Sequence, residues 1–146
     1  MKGPAVGPMK AGELESVLAL LTRLGLPVDG LAEHAGTALV ARERGGRVVG
    51  SAALEVYGSE ALLRSVAVDP SVQGSGLGRR LTEAAVALAN RLSLTRLYLL
   101  TETAGEFFPR FGFREIARDK VPRAVRESVE FRIACPASAV AMEKRL

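Results

Sequence analysis

An apolar segment, a glycine-rich loop and an amphipathic segment follow one another at residues 64–81, which read Arg64-Ser65-Val66-Ala67-Val68-Asp69-Pro70-Ser71-Val72-Gln73-Gly74-Ser75-Gly76-Leu77-Gly78-Arg79-Arg80-Leu81. The apolar segment favours a strand that stops at Pro70, and the amphipathic segment favours a helix that begins near Gly76. The first amides of a helix have no partner within it and carry a partial positive charge, so they can bind an anion. Glycines before such a helix let an anion approach the backbone. The stretch therefore predicts an anion-binding strand–loop–helix unit.

Three types of anion-binding loop can be compared with this stretch. A Walker-type loop has two glycines separated by four residues and followed by Lys, whereas Arg79 stands five positions after Gly74, so that motif is absent. The dinucleotide pattern Gly-x-Gly-x-x-Gly lacks its third glycine whether it starts at Gly74 or at Gly76. The pattern Gln/Arg-x-x-Gly-x-Gly/Ala is met by Gln73, Gly76 and Gly78.

Hydrophobic periodicity outlines the rest of the fold. It predicts helices over 11–24, 28–34, 76–92, 104–108 and 122–129, and strands over 37–44, 47–57, 61–68, 96–101, 113–117 and 139–144. The first strands are joined by short turns, which indicates antiparallel pairing, and the helix between strands 61–68 and 96–101 indicates a parallel crossover. We therefore expect an α+β (mixed α/β) fold with a mixed sheet. Since no linker or repeat interrupts the chain, we expect a single domain over residues 1–146.

Composition argues against several classes of function. The 146 residues carry a net charge of +4, and the basic residues do not alternate with aromatic ones, which argues against nucleic-acid binding. Cys135 and His34 are the only cysteine and the only histidine, so we expect neither an internal disulfide nor a metal site. No apolar run is long enough to cross a membrane, and the first residues have no signal-peptide core. We therefore expect a cytoplasmic protein with no membrane partner.

The glycine loop and a later phenylalanine-rich segment together resemble the Gcn5-related N-acetyltransferase (GNAT) family. The resemblance rests on residues 63–70, on the loop, and on the segment Phe107-Phe108-Pro109-Arg110-Phe111-Gly112-Phe113. It implies the GNAT fold, in which antiparallel N-terminal strands precede a splayed parallel pair, here 61–68 and 96–101, with acetyl-CoA between them. It also implies a cofactor-binding set that comprises Val66, Ala67, Val68, Gln73, Gly74, Ser75, Gly76, Leu77, Gly78, Arg79 and Phe108.

The resemblance implies few catalytic groups. A backbone amide near Val66 or Ala67 would stabilise the oxyanion. Many members have a tyrosine as the general acid where this chain has Phe108, for which core packing is the alternative interpretation. Some members have a glutamate base on the strand before the loop, at a position that is leucine here. The remaining strand-borne carboxylates nearby, Glu102 and Glu55, are the candidate bases and would act through water. A solvated or salt-bridged side chain is the alternative interpretation of each.

Two arginines are candidates for binding the acceptor. Arg64 alternates with Leu62 and Val66, so it points to the face that carries catalytic groups in relatives. There it would form a fork with an acidic group of the acceptor, or else reach solvent. Arg126 lies in the segment 118–132, which has five basic and three acidic residues, and a basic wall prefers anionic acceptors.

Three motifs in the C-terminal part of the chain together resemble GNAT members that are associated with arsenic resistance. They are Phe-Phe-x-Arg-x-Gly-Phe at 107–113, Val-Pro-x-x-Val-Arg-x-Ser-x-Glu-Phe at 121–131 and Cys-Pro-x-Ser-Ala-x-x-Met at 135–142. This resemblance implies acetyl transfer to a small, anionic, amino-acid-like amine, with a glutamate-type amino-acid N-acetyltransferase as the alternative. A non-catalytic acetyl-CoA sensor is the alternative from another class, because the usual catalytic side chains are absent. Family members often dimerise, so a homodimer stays open, and we interpret Cys135 as part of a structural turn.

Overall fold

The computed structural model describes residues 3–102, 106–128, 131 and 139–146. A mixed sheet lies at its centre, with seven strands in the order β1-β2-β3-β4-β5-β7-β6. The strands are β1 (Ala5–Pro8), β2 (Ala38–Arg42), β3 (Val48–Tyr57), β4 (Glu60–Val68), β5 (Arg96–Thr101), β6 (Arg114–Ile116) and β7 (Val140–Arg145). The α-helices are α1 (Leu14–Arg23), α2 (Leu77–Arg91) and the single turn α3 (Arg123–Arg126). The predicted α+β fold with a mixed sheet is confirmed.

Helices cover both faces of the sheet because their apolar residues recur at helical spacing. Helix α2 buries one set of residues on the first face: Leu77, Leu81, Ala85 and Ala89. Helix α1 buries another set on the opposite face: Val17, Leu20 and Leu21. Each buried leucine contributes about 1.5–3 kcal/mol to stability. None of the described helices combines the length and the apolar character needed to span a membrane.

Strands β4 and β5 form the parallel pair of the sheet, and they diverge after three residue pairs. The pairs are Glu60↔Arg96, Ala61↔Leu97 and Leu62↔Tyr98. Strand β4 then continues to Val68 and β5 to Thr101, so an opening lies between their C-terminal halves. The predicted splayed pair is confirmed.

A β-bulge bends β4 at the start of this opening. The register of β3 against β4 shifts by one residue, so that Ala52 faces both Ser65 and Val66. Ser65 has a φ of 59°, in the left-handed region that residues other than glycine seldom adopt. Such bulges re-aim a strand and are common beside functional sites.

Some local predictions were wrong. The sequence does not predict β1, because Gly7 and Pro8 are rare in strands, and β1 is an edge strand where they are tolerated. The helix predicted over 28–34 is a 3-10 helix at Leu31–Thr37. The helix predicted over 104–108 lies partly outside the described residues. Phe108 begins a 3-10 helix, Phe108–Phe111, because a proline is tolerated in a first turn. The helix predicted over 122–129 is limited to α3 within the described residues.

Candidate active site

A cleft of about 670 Å³ opens where β4 and β5 diverge. Its walls come from residues 24–27 after α1, residues 63–68 of β4, residues 99–102 at the end of β5, and Phe107 and Phe108. Gln73 and Gly78 of the glycine loop also line it. The cleft therefore joins the open edge of β4 to the predicted anion-binding loop.

The backbone of β4 divides its hydrogen-bonding groups between two edges. The Asp69 N–H donates to the Val49 carbonyl of β3 over 2.8 Å, and the Ala67 carbonyl is turned toward β3 as well. Backbone groups of successive residues alternate between the two edges of a strand. The groups of Val66 and Val68 therefore face the opposite edge, toward β5 and the cleft.

The peptide that follows the bulge is held in a fixed orientation. Ser51 Oγ donates to the Ser65 carbonyl over 2.6 Å. A trans peptide places its carbonyl and its N–H on opposite sides, so the Val66 N–H points away from Ser51 and from β3. Farther along the same edge, Gln73 Nε2 donates to the Val68 carbonyl over 3.2 Å. The edge thus presents the Val66 N–H as a donor to the cleft.

The glycine loop has a backbone that only glycine adopts easily. Gly74 and Gly76 have φ values of 84° and 80°, in the left-handed region. A Cβ at either position would meet no atom within 4 Å, so conformation and not packing selects glycine here. Gly76 is the N-cap of α2, and the Arg80 N–H makes a helical bond to its carbonyl over 3.1 Å. The amides of residues 77–79 are therefore left without helical partners.

Asp69 anchors the start of this loop. Its Oδ1 accepts hydrogen bonds from the backbone N–H and the hydroxyl of Ser71, over 2.9 and 2.8 Å. Its Oδ2 accepts from Arg23 over 2.9 Å and from Arg47 over 3.1 Å. The bonds from Ser71, and then the two arginines, hold the pKa of this carboxyl below its ordinary value. Asp69 thereby ties the end of α1 and the β2–β3 turn to the loop.

Arg64 is buried on the side of the cleft opposite α2. Its side chain is 0% exposed, and its Nη1 donates to Glu55 Oε2 over 2.7 Å and to the Asp29 carbonyl over 2.6 Å. Its Nη2 donates to the Pro27 carbonyl over 3.2 Å, and its Nε donates to Ser65 Oγ over 3.3 Å. The alternative that Arg64 reaches solvent is wrong, because a buried carboxylate partner and the loop after α1 hold it inside.

Glu55 connects this ion pair to a second cavity. Its Oε1 accepts a hydrogen bond from the Tyr57 hydroxyl over 2.5 Å and lies 3.5 Å from His34 Nε2. Burial and then the bond to Glu55 raise the pKa of the Tyr57 hydroxyl. The cavity, of about 420 Å³, lies between the Leu31–Thr37 turn and α3. With Arg64 as its partner, Glu55 serves first as a buried counter-ion.

Residues 34–115 match the acetyltransferase (GNAT) domain family. The chain belongs to the GNAT family. The matched segment begins at the 3-10 helix before β2 and ends in β6, so it contains β4, the glycine loop, α2 and β5. The cleft and the loop described above therefore lie within the GNAT domain.

Curated relatives of this GNAT chain are longer than the chain itself. An amino-acid acetyltransferase of Mycobacterium tuberculosis is 45% identical over 73 residues, which are 49% of this chain and 41% of the relative. An uncharacterized N-acetyltransferase of Chlorobaculum tepidum is 32% identical over 99 residues, which are 67% of this chain and 63% of the relative. The chain thus spans less than two thirds of either relative.

Solved structures share the GNAT fold over nearly the whole chain. N-acetylglutamate synthase from Neisseria gonorrhoeae, complexed with coenzyme A and N-acetyl-glutamate, superposes with a TM-score of 0.83 at 22% identity, covering 100% of this chain and 36% of that one. Rv2747 from Mycobacterium tuberculosis, in a complex that includes CoA, gives a TM-score of 0.81 at 26% identity, covering 98% and 99%. Because N-acetylglutamate synthase is 22% identical to this chain, its similarity shows the fold alone.

The predicted site residues occupy different parts of this GNAT domain. Phe108 is 7% exposed and packs edge-on against Phe107 and Phe113, with ring centres 5.1 and 5.8 Å apart. It packs in the core, as the alternative interpretation has it, and it also borders the cleft. Glu102 is exposed at the end of β5 and lines the cleft. Its role as a base acting through water stays a prediction.

The two arginines predicted to bind the acceptor lie in different places: Arg64 lines the cleft, whereas Arg126 lies on α3. Arg126 is exposed on α3. The second cavity is lined in this region by Ala124, Glu127 and Ser128. A role for Arg126 in binding the acceptor stays a prediction, and Cys135 lies outside the described residues. Within residues 3–102, 106–128, 131 and 139–146, no group of three or more His, Cys, Asp or Glu side chains could hold a metal ion.

Sequence reasoning missed two parts of the cleft. The loop at residues 24–27 forms one wall, and its Gly25 and Pro27 indicate a loop but not where that loop lies. Ser65 lines the cleft from a left-handed bulge, while the alternating pattern around it predicts a regular strand. The local sequence thus indicates the loop but not its place in the cleft, and it does not indicate the bulge at Ser65.

Proposed function

We propose that this GNAT domain uses acetyl-CoA to acetylate the amine of a small amino-acid-like acceptor, with glutamate-type amino acids as the expected class. The observation that carries the proposal is the continuity of the cleft: the open edge of β4 runs directly into the loop before α2. The amino-acid acetyltransferase among the relatives supports the acceptor class. The relatives described above support this class better than the arsenic-resistance type that the C-terminal motifs suggest.

The described residues fit acetyl-CoA in two places. An extended pantetheine arm can add to the open edge of β4, where the backbone groups of Val66 and Val68 face it. The pyrophosphate can be bound by the amides of residues 77–79 in the loop that starts at Gln73, with Arg79 adding positive charge. Ala67 contributes less to this edge because its backbone is turned to β3.

The chemistry requires an amine nitrogen to form a bond to the thioester carbonyl carbon while the bond from that carbon to sulfur breaks. Negative charge develops on the carbonyl oxygen, and of the two predicted oxyanion donors the Val66 N–H is the one that faces the cleft. The proton of the acceptor ammonium passes to solvent or, through water, to Glu102. The CoA sulfur leaves as the thiolate and takes its proton from solvent, because Phe108, at the position of the family's tyrosine, has no proton to give.

A thiol-release assay tests the proposal. Acetyl-CoA is incubated with the protein and a panel of amino acids, together with phosphonate and arsenic analogues. We expect the wild-type protein to release CoA when an acidic amino acid is present. The Gly76→Glu variant should release none, because its carboxylate repels the pyrophosphate. If acetyl-CoA raises the melting temperature but no amine is acetylated, the acetyl-CoA sensor replaces the enzyme. Turnover of the arsenic analogue alone would restore the arsenic-resistance interpretation.

A further inference from the structure

Ser65 is in a left-handed conformation in the middle of a strand that lines the cleft. Its φ is 59°, and it lies in the bulge where Ala52 of β3 faces two residues of β4. A serine gains nothing from this backbone conformation, which favours glycine. Strained residues that a surrounding structure holds in place are concentrated at functional sites. Neither the proposed pyrophosphate site nor the proposed oxyanion donor, the Val66 N–H, involves the Ser65 side chain.

Two neighbouring side chains bind the carbonyl and the hydroxyl of Ser65. Ser51 Oγ donates to its carbonyl over 2.6 Å, and Arg64 Nε donates to its Oγ over 3.3 Å. Arg64 is itself immobile, because Glu55 and the carbonyls of Pro27 and Asp29 hold its guanidinium. The position of the Ser65 hydroxyl is therefore set before any ligand arrives.

The hydroxyl keeps one hydrogen to donate. A serine hydroxyl has one donor and two accepting lone pairs, and the Arg64 guanidinium occupies one of the accepting positions. Within the part of the chain that the structure describes, this hydrogen has no acceptor, since the hydrogen bond at the Ser65 hydroxyl is the one that it accepts from Arg64. A hydroxyl that accepts from a cation becomes a stronger donor because hydrogen bonds in a chain polarise one another.

The direction of this donor separates it from the cofactor loop. Ser65 Oγ lies beside Arg64, on the side of the sheet opposite α2, whereas the glycine loop leads into α2. On the Arg64 side, the cleft is lined by the loop at residues 24–27. A second substrate that meets the thioester from this side passes the hydroxyl.

We propose that the Ser65 hydroxyl donates a hydrogen bond to the α-carboxylate of the acceptor and so selects amines that carry a carboxylate on the same carbon. This inference rests on the proposed function. A carboxylate accepts hydrogen bonds only, and its bonds to a donor are stronger than those of a neutral group. The proposal assigns to Ser65 a part of the specificity that the sequence analysis assigned to Arg64.

The test compares two amines that differ in one group. Glutamate carries the α-carboxylate, and 4-aminobutyrate is glutamate without it. The ratio of kcat/KM for the two is measured in wild type, Ser65→Ala and Ser65→Gly. Both variants remove the hydroxyl, but glycine adopts the left-handed backbone without strain, so Ser65→Gly folds even if Ser65→Ala does not. Ser93 is an exposed serine with a φ of 60° at the end of α2, and Ser93→Ala and Ser93→Gly are matched controls.

We expect both Ser65 variants to lower the ratio by roughly 10- to 100-fold, the loss of one hydrogen bond to a charged group. The KM for acetyl-CoA in the Ser65 variants should stay within about twofold of wild type. The kcat/KM ratio of the Ser93 variants should also stay within about twofold, since Ser93 is exposed and away from the cleft. An unchanged ratio in both Ser65 variants, or full recovery in Ser65→Gly, overturns the proposal while leaving the proposed function intact. A wild-type protein that acetylates neither amine removes the proposed function and this inference with it.

Discussion

Substitution of Gly76 by glutamate places a negative charge at the N-terminus of α2, where we propose that the pyrophosphate of acetyl-CoA binds. A Cβ at Gly76 would meet no atom within 4 Å, so the new side chain fits without a clash. Because the backbone φ is 80°, any side chain there costs about 1–2 kcal/mol of stability. Gly76→Gln has the same shape and the same backbone strain without the charge, which makes it the matched control.

The expected loss of affinity follows from Coulomb's law. A carboxylate about 5 Å from each of two pyrophosphate charges is repelled by about 0.8 kcal/mol per charge at the dielectric constant of water and by about 3.3 kcal/mol per charge at an effective value near 20. The sum, about 1.7–6.6 kcal/mol, corresponds to binding at least about 20-fold weaker than in the glutamine control. Salt screens exposed charges, so the difference between the two variants shrinks at high ionic strength.

Isothermal titration calorimetry with acetyl-CoA measures this difference. Wild type, Gly76→Gln and Gly76→Glu are titrated at low and at high salt, after circular dichroism has verified that each is folded. We expect the glutamate variant to bind far more weakly than the glutamine variant at low salt and to recover part of the difference at high salt. Equal affinities of the two variants at low salt would refute the placement of an anion at the N-terminus of α2.

Three further predictions concern stability. Glu55→Ala removes a carboxylate that pairs with the buried Arg64 guanidinium, so urea unfolding should show a loss of about 3–5 kcal/mol; a loss below about 1 kcal/mol contradicts the role of this pair. The native pKa of Asp69 is lowered, so its ionised form stabilises the fold above the ordinary carboxyl pKa, and this stabilisation is lost as pH falls through the native pKa. Asp69→Asn should flatten that dependence in urea midpoints measured from pH 7 to pH 3, and identical curves contradict it. Gly50→Val places a Cβ 2.8 Å from Leu81 Cδ1 under α2, so we expect a loss of about 1–3 kcal/mol in thermal unfolding, and an unchanged melting temperature contradicts this packing.

The elements that sequence reasoning predicted well are those whose local pattern and tertiary role agree. Strand β5 begins and ends at the predicted residues, 96–101, because a continuous apolar run favours a buried parallel strand. Helix α2 was predicted to within one residue at each end, since Gly76 marks its start and its apolar face is regular. The glycine loop lies between β4 and α2 as predicted, because Gly74 and Gly76 adopt a left-handed backbone that glycine favours.

Long-range partners account for what sequence reasoning missed in the site. The Arg64 guanidinium binds carbonyls 35 and 37 residues away, at Asp29 and Pro27, and no local pattern indicates those contacts. The bulge at Ser65 depends on the register of β3 against β4, which is a property of the pair and not of either strand. The C-terminal motifs suggested an arsenic-resistance type, whereas the relative from Mycobacterium tuberculosis, 45% identical over 73 residues, is an amino-acid acetyltransferase.

The most direct test of the function is whether the protein makes a new amide bond between the two proposed substrates. Acetyl-CoA labelled with carbon-13 at the acetyl carbonyl is incubated with nitrogen-15 glutamate and the protein, and the mixture is followed by NMR. We predict a one-bond coupling between the labelled carbon and the labelled nitrogen that requires wild-type protein and is lost in Gly76→Glu. CoA release with the label appearing as free acetate, or no release at all, would contradict acetyl transfer to an amino-acid amine.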